Sequence, residues 1–166
     1  EEGFVSSANQ RTVDKNYPFF ISGDFSMPYR IMRIREMAAE KQVLGIEDFK
    51  RMITDNHSAY AAMLTPVILK EAETISDTDE TEKAAIEELK GWDYSMDASL
   101  IAPSLFEFIR IEMARHLLGD ELGELYGSSL GRQHDFYIYS MLKKGPDRWV
   151  DNINTPEEEK IGRAHV

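Results

Sequence analysis

The sequence predicts a mainly α-helical, bundle-like segment with one short strand at its N-terminus. Three observations predict it. From Pro28 onward, apolar residues recur at helical spacing through several successive stretches. Ahead of them, Gly3 to Ala8 is β-tolerant through Phe4 and Val5. Helix start signals recur along the chain, whereas no internal repeat or low-complexity tract does.

Residues 9–26 carry Asn, Asp, Gly and Tyr-Pro punctuation and predict a loop over the surface, so strand and loop form a first region, residues 1–27. A helical region, 28–160, follows. Pro28 suits a first helical turn, and `PYRIMRIREMAAEK` sets Ile31, Ile34 and Met37 on one face. Gln42 to Gly45 makes a turn. `IEDFKRMITDNHSAYAAMLTPVILKEA` predicts one long helix with Phe49, Ile53, Tyr60, Leu64 and Val67 near one stripe. Glu47 and Asp48 complement its dipole, and Pro66 kinks it without ending it. `SDTDETEK` reads as an exposed loop opening a short helix, Glu82 to Leu89.

`GWDYSMDASLIAPSLFEFIRIEMARHLL` predicts a further helix with Leu105, Phe108, Ile109 and Leu117 as its buried stripe. Gly119 to Gly131 is a glycine-punctuated connection holding a short helical piece. Phe136 to Leu142 lies on another helix, stopped by Gly145-Pro146. `RWVDNINTPEEEK` enters a last helix, with Thr155 as cap, Pro156 at the first position and Glu158 completing a capping box. Residues 161–166 form a tail without a recognisable pattern.

Composition sets the bounds. With 166 residues, 42% of them apolar, the chain can bury a sizeable core. A net charge of −11 sets aside nucleic acid and anionic membrane as partners, because both call for basic surface. Residues 71–90 hold eight acids against two lysines, more than half of that charge, and read as a solvated face. No apolar run approaches the roughly 20 residues of a spanning helix. Without cysteine there is no disulfide and no thiolate zinc site. The chain begins at Glu1 with neither methionine nor a signal-like segment, which suggests a piece of something longer.

Most catalytic signatures are missing: no glycine-rich phosphate loop, no HExxH, no EF-hand spacing, no GxSxG. His57 and His116 lack a second ligand at helical spacing, and His134 and Asp135, being adjacent, face apart. Tyr17, Phe19 and Phe20 are expected to tether the first loop, and Trp92 and Trp149 to anchor helix joints. What calls for a reason is the Asn9-Gln10-Arg11 cluster closing an apolar strand, with Arg30 arriving at the head of the next helix. Taken alone, these residues fit a strand terminator and an arginine paired with a nearby acid.

Their wider context changes the reading. `SSANQ`, `DKNYPFFISGDFSMPYRIMRIREM`, `IEDFKRMITDNHSAYAAMLTPVI`, `GWDYSMD` and `WVDNINTPEEE`, in that order from about Val5 to Glu159, resemble the β-chain of the penicillin acylase (penicillin amidase) family. Members are heterodimeric N-terminal-nucleophile hydrolases that cut penicillins, cephalosporin side chains or acyl-homoserine lactones. The resemblance implies a segment excised from a larger α+β fold of the αββα type.

It also implies roles. In the family a strand ends in Ala-Asn-Asn, and the first asparagine's amide is half of the oxyanion hole. Asn9, preceded by Ala8, matches it, while Gln10 replaces the second asparagine. The family's arginine at the helix head matches Arg30, with Arg33 completing the R-x-x-R-I pattern. A fixed neutral N–H stabilises the oxyanion formed when an amide carbonyl is attacked, and an arginine can hold the asparagine's oxygen or the substrate's polar end.

The family nucleophile is the first residue of the β-chain and uses its own α-amine as base. Glu1 cannot serve, and Ser6 and Ser7 are internal, so the isolated chain is expected to be inactive. No cofactor is expected within this chain, and the family's calcium site draws mostly on other segments. The implied partners are the remainder of the parent α- and β-chains and a small N-acyl substrate. A periplasmic or extracellular parent is implied as well. Cut from its sheet, Glu1 to roughly Asn16 is expected to be disordered, to cling to a neighbouring molecule or to pack irregularly on the helices. The competing class is a non-catalytic acidic helical interaction module whose 71–90 segment meets a basic partner.

Overall fold

In the computed structural model, residues 3–23, 25–129 and 134–144 are described, and they form α1 (Tyr29–Ala39), α2 (Ile46–Ile53), α3 (Ala59–Ala72), α4 (Glu80–Lys90), α5 (Ala102–Leu122), a 3-10 turn (Gly123–Leu125), α6 (Tyr126–Ser129) and α7 (His134–Lys144). The mainly helical class holds. The chain divides into two compact units, Glu1–Ala59 and Tyr60–Val166. The expected Gly145-Pro146 stop, the Trp149 anchor, the helix capped at Thr155 and the 161–166 tail lie outside the described residues.

The strand expected over Gly3–Ala8 is a correction. Gly3 to Ser7 runs without ladder pairing, and among the described residues no sheet forms; His57 and Ser95 occupy isolated bridges. The physical reason is that a strand is defined by its partner, and an extended segment with none has no ladder to join. In the first unit Pro28 precedes α1, which buries Ile31, Met37 and Ala38. The Gln42–Gly45 turn is present. Asp48 Oδ2 accepts the Gly45 N–H at 2.9 Å, which satisfies a donor at the α2 entrance.

The single long helix expected from Ile46 is a second correction. It breaks into α2 and α3 across residues 54–58. Thr54 Oγ1 turns back to the Lys50 and Arg51 carbonyls at 3.1 and 3.3 Å, and Asp55 is pulled away to Arg33. Such short polar side chains compete with the helix for its own backbone groups. Phe49 and Ile53 are exposed, while Tyr60 and Leu64 beyond the break are buried. As expected, α3 continues through Pro66.

In the second unit α5 packs against α4 and α7. Asp79 caps α4, accepting the Thr81 and Glu82 N–H groups at 2.7 and 2.8 Å, and Glu82 returns a bond to the Asp79 N–H at 2.7 Å. This reciprocal box starts the helix two residues before the expected Glu82. The core gathers round Phe106, whose ring meets Tyr60 edge-on at 5.8 Å and Trp92 at 5.6 Å. Trp92 is buried and donates from Nε1 to the Ser95 carbonyl at 2.8 Å, the joint anchor expected of it. Arg110 ties α5 to α7 through Asp135 at 3.0 Å. The expected stripe on α5 holds at Leu117, which is buried, and slips toward its N-terminal end: Phe108 is exposed, and Phe106 and Met113 face the core instead. The aromatic loop is a further correction. Tyr17, Phe19 and Phe20 stay exposed, with Tyr17 and Phe19 meeting edge-on at 5.9 Å.

Candidate functional site

The loop after Ala8 turns sharply because Asn9 adopts a left-handed conformation, φ 64°, which asparagine tolerates better than most residues. Two bonds hold the corner. Gln10 Oε1 accepts the Ala8 N–H at 2.7 Å, and the Asn9 carbonyl accepts the Ser26 N–H at 2.8 Å. Gln10 thus has a local job: its side chain folds back and satisfies the donor just before the turn.

Arg30 reaches this corner from the first turn of α1. Its Nη2 donates to the Ala8 carbonyl at 2.9 Å and to Asn9 Oδ1 at 2.8 Å. A guanidinium has donors and no acceptor, so the asparagine must turn its oxygen to it. The carboxamide N–H groups then point the other way, and Asn9 Nδ2 donates to no described residue. Asn9 is exposed and Ala8 buried, so the amide is presented outward from an anchored backbone. The two residues singled out in the sequence are brought together. The carboxylate partner that spacing alone allowed for Arg30 is absent among the described residues.

One turn further along α1, Arg33 clamps Asp55 with two bonds, Nε–Oδ2 at 2.9 Å and Nη2–Oδ1 at 2.7 Å, and also meets Glu36 at 2.9 Å. This pair fixes the face of α1 that carries Arg30. Asp55, 22 residues away from Arg33, carries no sequence signal of its role, because nothing in local spacing pairs the two. The hydrogen bonds from the Arg33 guanidinium hold the Asp55 carboxyl below its ordinary value, against the opposing effect of burial. Arg33 itself is pushed further above its usual value by the same bonds.

The folded pKa of Asp55 lies below its unfolded value. The stability it contributes is therefore complete above about pH 4 and is lost as pH falls through the folded value. Asp55→Asn is expected to cost about 1–3 kcal/mol at pH 7, since both side chains are largely buried and Arg33 would lose its counter-charge. The cost shrinks toward pH 3. Urea titrations of the 166-residue chain at the two pH values check it, and an equal loss at both would assign the effect to shape rather than charge.

The remaining candidates stay apart. His116 Nε2 lies 3.8 Å from Glu112 on exposed surface of α5. Among the described residues no group of three or more His, Asp or Glu side chains could hold a metal ion, and no helix is long and apolar enough to cross a membrane.

Comparison with known proteins places the sequence in a family. The penicillin amidase family model matches residues 1–166. An acyl-homoserine lactone acylase, QuiP, of Pseudomonas syringae pv. tomato is 24% identical over 95% of this chain and 21% of its own length. The acyl-homoserine lactone acylase QuiP of Pseudomonas aeruginosa is 26% identical over 96% of this chain and again 21% of its own. The chain thus spans about a fifth of the length of the curated relatives it matches. No solved structure matches it. A family match running the whole length of the chain leaves one conclusion: it belongs to the penicillin amidase family.

Proposed function

We propose that this chain is the part of a penicillin-amidase-type amidohydrolase that supplies one oxyanion-hole donor, Asn9, and the residue that aims it, Arg30. The observation that carries the reading is the 2.8 Å bond from Arg30 Nη2 to Asn9 Oδ1. It orients a neutral donor before any substrate arrives, which is what stabilising a developing charge calls for. The same bond draws electron density toward Oδ1 and makes the opposite N–H groups better donors.

The reaction is cleavage of an N-acyl bond. A nucleophile from the remainder of the parent adds to the carbonyl carbon, and the π electrons move onto oxygen. Asn9 Nδ2–H donates to that oxyanion. Collapse expels the amine with a proton and leaves an acyl-enzyme, which water hydrolyses through a second oxyanion at the same donor. In this reading the isolated 166 residues are inactive, their partners are the remaining parts of the parent and a small N-acyl substrate, and the parent is exported. The names of the relatives, acyl-homoserine lactone acylases, support an N-acyl amide as the bond class.

Arg30→Ala in the full-length parent tests the arrangement. If Arg30 acts through Asn9, kcat falls about 10- to 100-fold through misaligned chemistry while KM holds. The double variant with Asn9→Ala should then be no worse than Asn9→Ala alone, because residues acting as one unit are not additive. A rise in KM with kcat intact, or losses that multiply, would instead make Arg30 a substrate contact.

A further inference from the structure

Among the described helices, the best-marked amphipathic one, α2, has its apolar face turned outward. A surface helix ordinarily sends its apolar stripe to the core. In α2, Ile46, Phe49 and Ile53 share one face and are 76%, 52% and 83% exposed. The opposite face carries Asp48, 9% exposed and held by the Gly45 N–H and by an ion pair with Lys41, followed one turn on by the half-buried Met52. The inversion is built in, because Asp48 is needed at the helix entrance and its counter-ion Lys41 comes from the preceding turn.

The exposed face does not end with the helix. Val43 continues it, and beside it opens a groove of about 800 Å³ whose walls include Phe4, Arg35, Ala39, Leu44 and Phe49. Arg35 is exposed and has no acidic partner among the described residues, unlike Arg33, Lys41 and Arg51 in the same unit. An apolar face with an unmatched cation at its edge fits an apolar segment that brings a carboxylate.

We infer that this α2 face and groove are an internal docking surface, occupied in the full-length parent by an apolar, carboxylate-bearing segment from outside these 166 residues. The inference rests on the reading that the chain is part of a longer amidohydrolase. Two facts choose this occupant over a second copy. The relatives carry roughly four-fifths of their length beyond the matched part, and two chains of net charge −11 repel each other.

Thiol labelling of the matured full-length parent tests it. Ile46→Cys and Ile53→Cys are expected to react with a maleimide about 100-fold more slowly than Glu47→Cys on the same helix, and Arg35→Glu should speed Ile53→Cys about tenfold. Equal rates on the two faces overturn the inference. Protection that disappears on dilution overturns the occupant in favour of a second copy, and no response to Arg35→Glu overturns the carboxylate. Should the cysteine variants fail to mature, hydroxyl-radical footprinting of the unsubstituted parent reads the same side chains, and oxidation of Phe49 at the rate of the urea-unfolded parent overturns it. Activity is not the readout. An active parent with a reactive face sinks this inference alone, and an inactive parent with a protected face sinks only the catalytic reading.

Discussion

Replacing Asn9 by alanine in the full-length parent should lower kcat by about 10²- to 10³-fold, or roughly 3–4 kcal/mol, the usual loss for one oxyanion-hole donor. KM should move little, because the ground-state carbonyl is held less strongly than the oxyanion. The backbone sharpens the test. Asn9 sits at φ 64°, where alanine is strained by about 1–2 kcal/mol, so Asn9→Ala alters both the donor and the turn. Asn9→Gly removes the donor and keeps the turn free of strain. Matching losses for the two variants would assign the effect to the amide. Asn9→Asp should be the worst of the three, since its carboxylate pairs with Arg30 and sets a negative charge where the oxyanion forms. Steady-state kinetics on correctly matured enzyme decide it, and near-normal kcat in Asn9→Gly would reduce the residue to a loop corner.

How legible this site was depends on which residue is asked about. Asn9 and Arg30 were found through the order of several motifs, and spacing alone left them a strand terminator and a paired cation. Their contact could not be read, because Ala8, Asn9 and Arg30 meet only once the 9–26 loop has doubled back. Arg33–Asp55 was hidden for the same reason, and the role of Gln10 needed the left-handed turn at Asn9. Helix starts were legible wherever a cap is local: Pro28 ahead of α1, Glu47 and Asp48 in the first turn of α2, and the acids opening α4. The strand was not, since pairing is a property of two segments. Nor was the break between α2 and α3, where apolar residues at helical spacing on both sides of Thr54-Asp55-Asn56 imitate one stripe.

The long helix α5 shows why a stripe can be found and its phase missed. Leu105, Phe106, Phe108 and Ile109 are all apolar and together spread over nearly half of the helix circumference, so the local pattern admits more than one face. The core is chosen by residues further along, Met113 and Leu117, which fall in line with Phe106. A pair of substitutions in the 166-residue chain makes the phase measurable. Phe106 is 1% exposed and stands between Tyr60 and Trp92, so Phe106→Ala loses the buried ring and both aromatic contacts and leaves a cavity that two large rings cannot close. The expected cost is about 3–5 kcal/mol, a large share of the roughly 5–15 kcal/mol that holds a domain folded. Phe106→Leu, which refills part of the volume, should cost about half as much. Phe108 is exposed, and Phe108→Ala should stay within about 0.5 kcal/mol. Urea unfolding followed by tryptophan fluorescence reads all three, with an unchanged m-value as the condition for comparing midpoints. If Phe108→Ala proves the costlier change, the helix is rotated from the position described, and the Phe106-centred core is wrong with it.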